Sequence, residues 1–504
     1  MKKTIEILDT TLRDGEQTSG VAYTSFEKLS IAKLLLTEVK VDRIEVASAR
    51  VSQGEFEGVQ KITSWASENG FLNKVEVLGF VDTPKSIDWI VNAGARVLNL
   101  LTKGSLNHLT HQLKKTPKEH QLDIAATIKY AQEKNVQVNV YLEDWSNGMK
   151  HSKAYTLEMI DFLANQPIKR ILLPDTLGVL SPKETFSFIN EITTKHPTIL
   201  FDFHAHNDYD LSVANSLAAI EANISGIHVT VNGLGERAGN APLASIIASG
   251  KDLLGINFNV EEKQLNKISK VVEGFSGLRI PSNKPIVGEN VYTQTAGIHA
   301  DGDNKNNLYF NDLIPERFGR KRKYALGKTS GKANIQKNLQ ELGIELNDEE
   351  IAKVTQKVIE LGDKKETVTT EDLPYIISDV VYNFIEQKVI VENYTTSCLK
   401  GLKSIAQLTI IIDGKTYNQT ASGEGQYDAF MNALGEVYKS LKMELPELID
   451  YMVIIPPGGK SDALCETSIT WFLKKEFKTT GLDCDQTVAA IKATVKMLNI
   501  IDKF

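Results

Sequence analysis

The chain has 504 residues, more than one ordinary domain holds, so two or three domains are expected. Hydrophobic residues make up 42% and charged residues 24%, the balance of a globular protein with a large core. The net charge of -7 argues against nucleic-acid and anionic-membrane partners, and no stretch approaches the ~20 apolar residues a membrane span needs.

The N-terminus, MKKTIEILDTT, breaks its apolar run with Glu6 and Asp9 and reads as a first strand, not a signal peptide. Further β-branched runs follow at 43–48, 74–80, 96–101, 136–144, 170–176, 200–206 and 226–232. Between them lie amphipathic stretches such as FEKLSIAKLLLTEV, with apolar residues at helical spacing. Strand–helix alternation implies parallel pairing, and about eight such units over roughly 250 residues are what a closed (β/α)₈ barrel requires. No G-x-G-x-x-G follows the first strand, which disfavours a doubly wound dinucleotide fold.

A barrel places its chemistry at the C-terminal ends of its strands. Polar residues gather there: Arg13 and Asp14 after the first strand, Tyr141 and Glu143 at the fifth, Asp175 and Thr176 at the sixth. The seventh ends in DFHAHND. His204 and His206 lie two apart and so face one way in a strand, which suits a metal, although a hydrogen-bonded strand end would read the same. The eighth leads into GLGERAGN at 233–240.

The alternation stops near residue 280, which bounds a barrel domain over 1–280. A loop-rich and then helical linker over 281–390 follows, and an α+β domain over 391–504. LGKTSG is not a phosphate loop, since Arg322 stands where its first glycine belongs. In the tail, strands around Asp413-Gly414 and a helix recur as a second strand–helix set, an internal duplication suited to ligand sensing, dimerisation or both. Cys398, Cys465 and Cys484 form no CxxC, which points to a reducing, cytoplasmic setting.

LDTTLRDGEQ, HAHND and GLGERAGN, in this order on eight barrel-like units, resemble the DRE-TIM metallolyases. Within them the chain is similar to the acetyl-CoA-dependent condensing enzymes, the isopropylmalate, homocitrate and citramalate synthases, and its tail resembles their LeuA-type allosteric dimerisation domain. The segments 41–62, 97–109, 139–148 and 206–220 resemble citramalate synthases more than isopropylmalate synthases, and Asp210 stands where the wider family commonly has glycine.

The resemblance implies a Claisen condensation of acetyl-CoA with pyruvate in isoleucine biosynthesis. The alternative is 2-oxoisovalerate in leucine biosynthesis. More distant readings are a hydroxymethylglutaryl-CoA lyase-like enzyme and a non-catalytic amino-acid sensor. A divalent Zn²⁺, Mn²⁺ or Co²⁺ would be held by Asp14, His204 and His206, with Asn240 a further candidate ligand. Arg13 would clamp the keto oxygen and Thr176 the carboxylate, while Leu78, Leu101 and Tyr141 would wall the pocket beside the substrate's side chain. Two candidates stand for the base: Glu143, given an apolar setting that raises its pKa, or His299 assisted by Tyr309. The resemblance also implies a homodimer. Isoleucine, or leucine in the alternative, would bind among Tyr427, Asp428, Leu448, Tyr451, Ile455 and Gln486.

Overall fold

The computed structural model describes residues 4–304, 308–363, 368–381, 389–398, 400–455 and 465–501. Eight parallel strands close into a barrel: β1 (Glu6–Asp9), β2 (Arg43–Ser48), β3 (Val75–Phe80), β4 (Val97–Lys103), β5 (Gln137–Glu143), β6 (Arg170–Asp175), β7 (Leu200–Ala205) and β8 (Gly226–Val229). Each pairs with its sequence neighbour, and β8 closes on β1 from Glu6–Gly226 to Asp9–Val229. The expected (β/α)₈ fold is the observed one.

The covering helices start where the sequence punctuates them. Thr24 with Glu27, Thr116 with Glu119 and Ser181 with Glu184 form reciprocal capping boxes, each satisfying two backbone donors. Pro117 and Pro182 occupy the first helical turn, where a missing N–H costs nothing.

Alternate strand residues point into the barrel. At the N-terminal end these are charged. Arg43 pairs with Glu6 at 3.1 Å, Glu76 at 3.0 Å and Asp202, and Arg170 pairs with Asp202 at 2.8 Å and with Glu6. Such a set holds only as a unit, because removing one partner from a buried pair costs about 3–5 kcal/mol. One layer higher, Asn139 donates to Asn99 at 2.9 Å and Asn99 to Glu45 at 2.7 Å. Polar side chains thus fill the lower layers of the barrel interior.

The chain divides into two compact units, Met1–Tyr292 with Asn311–Lys321, and Thr293–Phe310 with Arg322–Phe504. In the first, Arg317 fastens the returning segment by donating to Glu262 at 2.6 Å and Asp252 at 2.9 Å, and Phe318 stacks on Tyr292.

The second unit begins with a short parallel pair, β9 (Thr293–Gln294) and β10 (Lys323–Tyr324). Helices Lys332–Leu342, Asp348–Asp363 and Leu373–Val380 then share a core that includes Ile335, Val354 and Leu373. Two three-stranded antiparallel sheets follow. One is β11 (Val389–Ser397), β12 (Ser404–Ile412) and β13 (Lys415–Gly423), with helix Gln426–Ser440. The other is β14 (Glu447–Ile454), β15 (Cys465–Phe472) and β16 (Glu476–Asp483), with helix Gln486–Ile500. The duplication is real, and each copy has three strands where the sequence suggested fewer. Asp413 and Gly414, both at positive φ, make the hairpin turn between β12 and β13.

Candidate metal and active site

β1 runs into a tight turn in which the amides of Arg13, Asp14 and Gly15 all donate to Thr10 O. Lys28, buried beneath it, donates to Leu12 O at 3.1 Å and to Val46 O at 3.3 Å, fixing the loop against β2. Asp14 is thereby carried over the barrel mouth toward the end of β7. Its Oδ2 lies 3.3 Å from His204 Nε2. Asp14, His204 and His206 are all buried, and one donor atom from each lies within 4.8 Å of the others. This is the one such group of three among the described residues.

Asn240 arrives on the GLGERAGN loop, where Gly239 sits at positive φ and an added Cβ would strike Gly233 O. Its Nδ2 donates to Asp14 Oδ1 at 3.1 Å and to Leu234 O at 3.0 Å. His204 Nδ1, His206 Nδ1 and Asn240 Oδ1 are buried without a hydrogen-bond partner. Orphaned acceptors around one carboxylate fit a divalent cation.

The electrostatics agree. Burial raises the Asp14 carboxyl, but the Arg13 guanidinium and His204 outweigh it and hold it well below the usual carboxylate range. Burial lowers His206 to about 4 and His228 to about 3, so both rings are neutral at physiological pH. Metal ligands must be in these deprotonated forms.

Arg13 is clamped from three sides. It donates to Glu45 at 2.6 Å, to Asp14 at 2.8 Å and to the Tyr141 hydroxyl at 3.4 Å. Tyr141, Leu78 and Leu172 form a small apolar cluster of their own, against which Leu101 and Phe80 pack. The three expected wall residues therefore meet, and Leu172 and Phe80 join them. Thr176 Oγ1 accepts from Asp144 N at 2.9 Å, which leaves its own proton to donate elsewhere.

Glu143 is not in an apolar setting. Its carboxylate pairs with Lys103, directly opposite on β4. Lys103 lies just past the run taken as the fourth strand, so this pairing was not expected. In the second unit, the His299 and Tyr309 rings lie 4.2 Å apart.

Among the expected regulatory residues, Tyr427 bonds Thr494 Oγ1 at 2.7 Å and its ring lies 5.5 Å from Tyr451. Asp428 accepts from Glu424 N at 2.8 Å, and Gln486 opens the last helix, its carbonyl accepting from Thr467. Leu448 and Ile455 are exposed.

Glu45, Asn99, Asn139, Lys103 and His228 were not singled out from the sequence. For Glu45 and Asn139 the signal was there: RIEVAS and VQVNVYLE carry polar residues at spacing two on one strand face.

Three family models cover the chain: HMGL-like over residues 4–272, homocitrate synthase post-HMGL domain-like over 286–366, and the LeuA allosteric (dimerisation) domain over 367–501. An (R)-citramalate synthase of Methanocaldococcus jannaschii is 32% identical over 503 residues, 99% of each chain. A 2-isopropylmalate synthase of the same organism is 34% identical over 506 residues, 99% of this chain and 94% of that one. The chain belongs to the citramalate and isopropylmalate synthase family of the DRE-TIM metallolyases.

This family is metal-dependent and consists of acyltransferases that condense acetyl-CoA with a 2-oxoacid. A putative (R)-citramalate synthase of Methanopyrus kandleri is 32% identical over 467 residues, 92% of this chain and 89% of that one. Among solved structures, a hydroxymethylglutaryl-CoA lyase from Pseudomonas aeruginosa is similar at 17% identity and a TM-score of 0.48, over 56% of this chain and 95% of that one. Among the described residues no helix is long and apolar enough to cross a membrane.

Proposed function

We propose that the 2-oxoacid is pyruvate and that the products are (R)-citramalate and CoA. Identity does not choose between substrates, being 32% to a citramalate synthase and 34% to an isopropylmalate synthase. The observation that supports pyruvate is the wall beside Arg13: Tyr141, Leu78, Leu172, Leu101 and Phe80 packed together. Five bulky side chains there leave room for a methyl more readily than for an isopropyl group.

Asp14, His204 and His206, with Asn240 beside them, would hold a divalent cation (Zn²⁺, Mn²⁺ or Co²⁺), which when bound would supply Lewis-acid polarisation of the 2-oxoacid. Arg13, its fork set by Glu45, donates to the keto oxygen and meets the charge that builds there as the carbon–carbon bond forms. Thr176 gives its proton to the substrate carboxylate. The acetyl methyl proton goes to Glu143 or to His299 assisted by Tyr309. Glu143 is paired with Lys103, and the His299 ring lies against that of Tyr309. Water then cleaves the thioester and releases CoA.

The LeuA-type domain supports a homodimer regulated by an amino acid, isoleucine for this substrate, bound around Tyr427 and Tyr451. Its biosynthetic chemistry supports a cytoplasmic setting. Product identification tests the reading. Acetyl-CoA and pyruvate should give citramalate of R configuration, with free thiol in equal amount, and isoleucine should suppress both. Isopropylmalate from 2-oxoisovalerate, with no product from pyruvate, would establish the alternative.

A further inference from the structure

His228 lies at the centre of the barrel on β8, fully buried, one layer below the candidate metal ligands. None of the roles above uses it. Its ring meets Tyr141 edge-to-face at 5.6 Å and His204 at 5.5 Å. Nδ1 lies 3.0 Å from the Tyr141 hydroxyl, and Nε2 lies 3.4 Å from Asp202 Oδ2. Asp202 is held by Arg43 and Arg170 in the charged layer beneath.

The carboxylate at one end and the guanidinium at the other favour one direction along this line. A guanidinium has only donors, so the Tyr141 oxygen accepts from Arg13 Nη2. The Asp202 carboxylate 3.4 Å from Nε2 favours the tautomer with its proton on that nitrogen, which leaves Nδ1 bare to accept the phenol proton. Arg43 and Arg170 keep that carboxylate ionised. If Nδ1 carried the proton, a bare Nε2 would face the Asp202 carboxylate, acceptor against acceptor.

We propose that His228 is a positioning residue for Arg13, acting through the hydroxyl of Tyr141. By accepting the phenol proton, it turns the oxygen lone pairs up toward the guanidinium. That gives Arg13 its third anchor, beside Glu45 and Asp14. The inference rests on the reading that Arg13 meets the developing charge on the 2-oxoacid.

A double-substitution cycle in the purified full-length protein tests it. H228M removes the acceptor at similar volume. H228Q keeps one, since its amide oxygen can accept from Tyr141 while its nitrogen faces Asp202. Losing the orienting bond in H228M is expected to lower kcat with pyruvate about tenfold while leaving KM for acetyl-CoA within about twofold. Y141F should show a similar loss, and adding H228M to Y141F should cost less than about twofold more. H228Q should recover most of the wild-type kcat.

A full tenfold loss from H228M in the Y141F background would overturn the proposal, because His228 would then act without the hydroxyl. A loss that tracks falling metal content would overturn it too, placing the effect on His204. Should H228M not fold, H228Q carries the comparison: wild-type turnover supports the proposal, and an equal loss in both backgrounds overturns it. No CoA release by the wild type with any 2-oxoacid would overturn the reaction itself and this inference with it. An additive loss in an active enzyme removes only the inference.

Discussion

Asn240 Nδ2 donates to Asp14 Oδ1 at 3.1 Å across 226 residues of sequence, and its second amide proton goes to Leu234 O. A carbonyl oxygen can only accept, so Leu234 fixes which end of the amide is nitrogen. Asn240 Oδ1 is thereby left buried and unpaired beside the carboxylate of the three-residue donor set. N240A should weaken metal binding about 10–100-fold, as removal of groups that orient ligands commonly does. Competition titration against a chelating dye measures this. Unchanged affinity would separate Asn240 from the metal site.

The Arg13 fork is engaged by Glu45, Asp14 and Tyr141 at once, a geometry that a lysine's point charge cannot reproduce. R13K should bind metal normally and lose about 10²–10³ in kcat, the scale of losing one donor to developing negative charge. Metal content and turnover, measured on the same preparation, report the two halves. A variant with near-normal kcat would show that charge alone suffices.

For the base, the pH dependence of kcat/KM in E143Q beside H299A decides. Glu143 sits in an ion pair with Lys103, and His299 sits against Tyr309. If His299 is the base, H299A loses about 10²–10³-fold and the acid limb of the profile, while E143Q keeps that limb. The opposite pattern assigns Glu143, and two near-normal variants exclude both.

The fold was legible because short β-branched, largely apolar runs alternate with amphipathic stretches at regular spacing. Asp14, His204 and His206 could be named from motifs, and the structure brings them together. What escaped was the interior polar lattice. Arg43, Glu45, Asn99 and His228 look like interruptions in their runs, and their meaning lies in partners on other strands. Strands β11 and β16 were missed for a related reason. VIVENYTTS is largely exposed, and EFKTTGLD fills its buried positions with Thr479, Thr480 and Gly481 as well as Phe477, so neither reads as an apolar run.

His120 offers a pH test away from the metal. It is buried, its Nε2 accepts from Lys103 N at 3.2 Å, and burial lowers it to about 4. The native ring is neutral between about 4 and 6.5, where the unfolded chain takes up a proton. The stability it contributes is thus present above about 6.5 and lost as pH falls toward about 4. H120Q, which keeps an acceptor but cannot titrate, should close on the wild type by about 1.4 kcal/mol per pH unit over that window. Chemical denaturation of the chelator-treated proteins at several pH values measures the gap, and a constant gap would contradict the assignment.

The wall residues set the substrate preference if the pocket is as described. Leu101→Gly and Leu78→Ala should each raise kcat/KM for 2-oxoisovalerate relative to pyruvate by about tenfold, within the range that a methylene or two controls in an apolar pocket. Leu78 is nearly buried, so its truncation will also cost about 2–5 kcal/mol of stability, and thermal melting separates the two effects. An unchanged ratio in both variants would remove the wall from substrate selection.

The central claim, that this barrel condenses acetyl-CoA with pyruvate, is tested most directly by thiol release from acetyl-CoA with pyruvate and 2-oxoisovalerate compared in one preparation. The account predicts a kcat/KM for pyruvate at least about 10²-fold above that for 2-oxoisovalerate, since steric exclusion adds to apolar discrimination. Equal values, or a preference for 2-oxoisovalerate, would contradict it.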